Sequence, residues 1–144
     1  AASDVYKRQY VDNAYGLQTN GNICYRVEAV EALNFYNFSE QSYSNDLCLY
    51  YKSYVYVPNA FTPGGINPIF IPVISNASPK GYQFEVFSRW GQRIFESSDL
   101  TVGWDGLISN SGQMATNDVY LYTVSFEDGN GKRTFKRGFV SLLK

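Results

Sequence analysis

The sequence predicts an all-β fold: a C-terminal β-sandwich over residues 55–144, preceded over residues 1–54 by part of a second β-sandwich module. Three observations lead there. Aromatics make up 17% of the 144 residues, with 13 Tyr and 10 Phe, a composition that suits strands and is far from that of a disordered chain. Apolar residues recur with a period of two, and no helical stripe is present. Clusters of Gly, Asn and Pro punctuate these runs at short intervals, as in sandwiches built from many short strands.

Residues 1–9 are polar and aperiodic and read as a frayed end. The chain opens Ala1-Ala2-Ser3-Asp4, with no initiator methionine and no apolar leader, so it is expected to be the C-terminal piece of a longer protein. A short strand is expected around Tyr10, then a turn at Thr19-Asn20-Gly21-Asn22. Ile23 to Ala32 alternates and reads as one strand; Asp46 to Val57 alternates again. Antiparallel neighbours bring opposed Cα atoms to about 4.5–5.5 Å, within disulfide range. Cys24 and Cys48 are therefore expected to form a disulfide in an oxidising compartment, the alternative being two small buried hydrophobes on adjacent strands.

Val57-Pro58 marks a boundary, because proline ends strand pairing and restricts its predecessor. Turn formers fill residues 58–68. Ile69 to Ile74 reads as an edge strand interrupted by Pro72. Tyr82 to Phe87 alternates cleanly, Arg89-Trp90-Gly91-Gln92 reverses the chain, and residues 92–97 return. Gly103-Trp104-Asp105-Gly106 is a structural turn with a large aromatic planted in it. Val119 to Phe126, the turn Asp128-Gly129-Asn130-Gly131 and a last strand from Lys132 to Leu143 form the closing hairpin. Tyr120 and Tyr122 are expected to stack across strands.

Net charge is −1, which gives no global pull toward nucleic acid. No run approaches the ~18 apolar residues that a membrane helix needs, so membrane insertion is not expected. Histidine is absent, which removes the commonest general base and the commonest zinc ligand. With two cysteines, a thiolate metal cluster is out of reach. No activated-nucleophile motif is present, so neither an enzyme nor a cofactor is expected.

Charge is nonetheless uneven. Lys132, Arg133, Lys136, Arg137 and Lys144 fall in the last thirteen residues, which hold no acid. Such a run either guards a sheet edge or docks an acidic partner. Trp90 between Arg89 and Arg93 is either plain packing or a recognition patch. Trp104 beside Asp105 fits a plug with an Asx-type turn better than a sugar platform.

Two resemblances carry the functional expectation. Cys24-Tyr25-Arg26-Val27-Glu28-Ala29-Val30 and Ser44-Asn45-Asp46-Leu47-Cys48 resemble the last strands of a fibronectin type III or immunoglobulin-like module. Four further pieces resemble the gliding motility-associated C-terminal domain, the type B sorting domain of the type IX secretion system. They are Tyr56-Val57-Pro58-Asn59-Ala60-Phe61-Thr62-Pro63, the stretch Phe87 to Ser97, Gly103-Trp104-Asp105-Gly106, and Val119-Tyr120-Leu121-Tyr122 with the end Gly138 to Lys144. Family members usually carry a longer loop with aspartates after Phe-Thr-Pro; here Gly64-Gly65-Ile66-Asn67-Pro68 lacks both, and with them any cation site such a loop would form.

The second resemblance implies an immunoglobulin-like sandwich. It implies the C-terminal sorting and export signal of a secreted or cell-surface, adhesin-like protein of the Bacteroidetes type. That protein would pass through the periplasm and be read by the type IX translocon and outer-membrane proteins. Any glycan or surface ligand would be bound by domains N-terminal to this stretch. The competing expectation is a carbohydrate-binding or adhesive β-sandwich. The residues expected to face a partner are Arg89, Trp90, Arg93, Lys132, Arg133, Lys136, Arg137 and Lys144.

Overall fold

The computed structural model describes residues 11–12, 20–31, 35, 39–109 and 111–144. The expected strand around Tyr10 lies outside them. Among the described residues, eleven strands and no helix occur. The main sheet has five strands in the order β6 (Ala60–Phe61), β11 (Arg133–Leu142), β10 (Asp118–Asp128), β8 (Ala77–Phe87) and β9 (Arg93–Ser97). All its pairings are antiparallel except β6 with β11.

A second layer covers one face of that sheet. It comprises the ribbon β5 (Tyr54–Tyr56) with β7 (Val73–Ser75), and an isolated bridge between Phe70 and Trp104. Alternation explains the packing: Tyr82, Phe84 and Val86 of β8, and Tyr120, Tyr122, Val124 and Phe126 of β10, turn inward and are buried. Phe61, Phe70 and Trp104 meet them, while Val55, Val57 and Ile74 pack from the ribbon. The result is a β-sandwich with an aromatic core.

The remaining strands form a long two-part hairpin, β1 (Asn22–Tyr25) with β4 (Leu47–Tyr50) and β2 (Glu28–Val30) with β3 (Gln41–Tyr43). The run Ile23 to Ala32, expected as one strand, is split at Arg26-Val27. There the Val27 N–H goes to Ser44 Oγ, at 2.9 Å, and leaves the ladder. Asp46 to Val57 divides likewise, into β4 and β5, which belong to different sheets. Every buried apolar side chain among the described residues lies between Phe61 and Leu142. The hairpin meets the sandwich where Gly21 approaches Gly129 so closely that a Cβ on Gly129 would lie 2.1 Å from the Gly21 carbonyl oxygen.

The expected edge strand Ile69 to Ile74 needs correction. Phe70 is buried and bridges Trp104, Pro72 is buried, and the strand begins only at Val73. Proline lacks the N–H that a ladder would need, so pairing starts after it. β8 also starts earlier than its alternation suggested. Its register with β10 slips between Gln83↔Ser125 and Ser78↔Glu127, and the irregular stretch holds Pro79 and Gly81, the latter at φ 69°.

Candidate functional site

The partner-facing residues expected from sequence do not share one place. Arg133 and Arg137 lie on the outer face of β11, in register with Glu127 and Thr123 of β10. Phe135 and Phe139 occupy the same face and are 63% and 69% exposed. β11 thus shows solvent the order Arg133, Phe135, Arg137, Phe139, because alternate residues share a face. On β10, Val119 is exposed and Leu121 half-buried, and Phe87 of β8 stands opposite Leu121.

Lys136 sits on the other face, where its Nζ donates to the Val55 carbonyl at 3.2 Å. It ties β11 to the second layer. Lys132 lies beside the β10–β11 turn, its backbone N–H donating to Asp128 Oδ1 at 2.9 Å, and Lys144 ends the chain. A run of bases read as one stripe is therefore split by the pleat, with only its two arginines on the outer face.

Arg89 and Trp90 occupy the β8–β9 turn. Trp90 is 88% exposed, and Arg89 approaches Asp118 at 3.6 Å. Arg93 is committed to Glu85 and Glu96, at 2.9 Å and 2.7 Å. Both carboxylates favour its charged form, the hydrogen bond that Arg93 donates to Glu85 most of all. Exposed pairs of this kind add little stability, though they fix the side chain's direction.

The structural turn is closed from within. Trp104 has no exposed surface; its Nε1 donates to the Leu107 carbonyl at 2.9 Å, and its ring meets Tyr120 edge-on at 5.0 Å. Asp105 Oδ1 accepts the Leu107 N–H at 2.9 Å, an Asx-type turn. An indole so enclosed offers no face to a sugar. Tyr122 meets Phe70 edge-on at 5.5 Å across the sandwich. Its ring lies over Gly138, where a Cβ would sit 2.6 Å from the Tyr122 hydroxyl.

Cys24 and Cys48 are opposed in the β1–β4 ladder and disulfide-bonded. The Phe-Thr-Pro loop closes on itself, Thr62 N–H donating to Asn67 O and Gly65 N–H to Thr62 O, both at 2.9 Å. No cluster of three or more His, Cys, Asp or Glu side chains suited to a metal occurs among the described residues.

One feature of the interior escaped the sequence. Tyr82 is buried, and its hydroxyl has no hydrogen-bond partner. Burial, assisted by the charge of Asp99, pushes its pKa up to about 12. Asp99 itself is held below the usual carboxylate range by the Thr101 N–H and hydroxyl. Both residues line a shallow cleft of about 580 Å³ at one end of the sheet, with Glu96 and Arg133. Nothing there combines a nucleophile with a base.

Comparison with known proteins places the sandwich. Residues 55–142 match the model of a protein family described as the CHU_C type IX secretion signal domain. The match begins at β5, ends with β11 and leaves the β1–β4 hairpin outside. No curated protein matches the chain.

Proposed function

Because the chain belongs to the type IX secretion signal domain family through residues 55–142, we propose that residues 55–144 form the C-terminal sorting unit of an adhesin-like surface protein. Membership makes this a signal read by the secretion machinery, and directs the protein out of the cell or to its surface. The finer reading is ours. The sorting unit reaches the translocon and its outer-membrane partners from the periplasm. It is held through Arg89 and Trp90 of the β8–β9 turn and through Arg133 and Arg137 of β11, while Arg93, Lys132, Lys136 and Lys144 play lesser parts. Residues 1–54 are the end of a fibronectin type III or immunoglobulin-like module that precedes it.

The observation that carries this reading is the coincidence of the family match with the core. Every buried apolar side chain among the described residues falls inside the matched stretch. A label that must be recognised on many cargoes benefits from a core that borrows nothing from its cargo.

The test is reporter export. An inert secreted reporter is fused to residues 1–144 or 55–144 and expressed in a type IX-competent host, and in the same host lacking the translocon. Both fusions should reach the medium or cell surface only in the first. Retention inside the competent cell would remove the sorting reading. Retention of the purified fusion on glycan beads would favour an adhesive module instead.

A further inference from the structure

The two edges of the main sheet are built differently. β9 is five residues long and has a register shift against β8, and its Ile94 carbonyl is taken by the Ser109 N–H at 2.8 Å. Those are ordinary ways of blunting an edge. β11 is ten residues long and free of proline, and it runs against β10 without a break from Arg133 to Leu142. On its other side β6 pairs only with Ser141 and Leu142. From Arg133 to Phe139, no strand among the described residues pairs with it on that side. The one lysine in this stretch is turned to the second layer. A guarded edge would not show two phenylalanines about two-thirds exposed.

Its chemistry is as specific as its shape. Arg137 makes no ion pair among the described residues, and Arg133 donates to Ser125 Oγ at 3.1 Å with Glu127 opposite. The last thirteen residues contain no acid. A second copy of β11 would bring further arginines to a seam that holds no acid, whereas an acidic segment would pair those already there.

We propose that the open edge of β11, from Arg133 to Phe139, accepts an extended segment of a protein partner as an added strand. That segment's outward side chains alternate acidic with apolar, to meet Arg133, Phe135, Arg137 and Phe139. Backbone hydrogen bonds supply the attachment, and the ladder of side chains supplies the choice of partner. The proposal deepens the sorting reading, on which it rests, by giving the contact a mode.

The test titrates isotopically labelled chain 1–144 with the octapeptide (Glu-Val)4, followed by amide chemical shifts. Controls are (Lys-Val)4 and (Glu-Val)4 methylated at alternate backbone nitrogens. Shifts confined to Arg133–Phe139, lost with both controls, are expected, and Arg137→Glu should weaken binding by about two- to fivefold. No binding at millimolar peptide, shifts elsewhere, or equal binding of the methylated peptide would each overturn the proposal. Shifts that appear on concentrating the chain alone would also overturn it, assigning the edge to a second copy. Failure of the unaltered chain to export a reporter would sink the sorting reading without touching these results. Normal export by a folded Phe135→Thr/Phe139→Thr chain would sink the edge proposal and leave sorting intact.

Discussion

Phe70 and Trp104 exchange backbone hydrogen bonds at 2.8 Å in both directions, and each packs its ring against Phe61. This single bridge joins the second layer's start to the loop after β9. The glycine before it is required: a Cβ on Gly103 would lie 2.7 Å from both Ile71 Cβ and the Phe70 carbonyl oxygen. Trp104→Ala should cost about 3–5 kcal/mol, since the ring is fully enclosed. Gly103→Ala should cost about 1–3 kcal/mol by overpacking. Urea unfolding of both variants checks the order.

The Cys24–Cys48 disulfide closes a loop with a sequence separation of 24, in a hairpin whose described residues contribute no buried apolar side chain to the core. In the chain-entropy model such a bridge is worth about 3 kcal/mol. That stabilisation should be local. Reduction is expected to free amide exchange in β1 to β4 while the near-ultraviolet signal of Trp104 stays unchanged. Loss of the Trp104 signal on reduction would mean that hairpin and sandwich fold as one.

The inner strands were legible because their alternation was unambiguous: Tyr82, Phe84 and Val86 could face only one way. The closing hairpin was legible from Asp128-Gly129-Asn130-Gly131, whose Gly131 takes φ 76°. Other features were not. β10 and β11 carry apolar residues on both faces, so the pattern could not say that Phe135 and Phe139 stay outside. The basic run looked like one stripe because composition ignores the pleat that separates Lys136 from Arg137. The Phe70–Trp104 bridge is one residue long on each side and carries no periodic trace. The slip of β8 around Pro79 and Gly81 hid the part of that strand before Tyr82, nearly half of its 11 residues.

Tyr82 predicts an alkaline weakness. Its pKa rises from the usual value of about 10 to about 12 in the folded protein, so the neutral phenol is the favoured form there. The corresponding stability is fully present below pH ~10 and is lost as pH climbs toward 12. Tyr122 is raised by burial too and acts in the same direction. Melting temperature against pH should therefore fall less steeply above pH ~10 in Tyr82→Phe than in the unaltered chain. At neutral pH the same variant should be as stable or more stable, by up to about 1 kcal/mol, because the hydroxyl it removes is buried without a partner. A clear loss of stability at pH 7 would show that the hydroxyl has a partner in solution.

The two tryptophans separate folding from recognition. Trp104 is enclosed, whereas Trp90 is 88% exposed in the β8–β9 turn beside Arg89. Trp90→Ala should leave stability within about 0.5 kcal/mol, since it opens no cavity. If Trp90 anchors the partner, the change should weaken recognition by about 2 kcal/mol or more, roughly thirtyfold, as expected for an interface tryptophan. Reporter export and a thermal melt, made on the same variant, read the two quantities apart. Unchanged melting with poor export places Trp90 in the contact. Unchanged melting with full export removes it, and leaves recognition to the arginines and phenylalanines of β11.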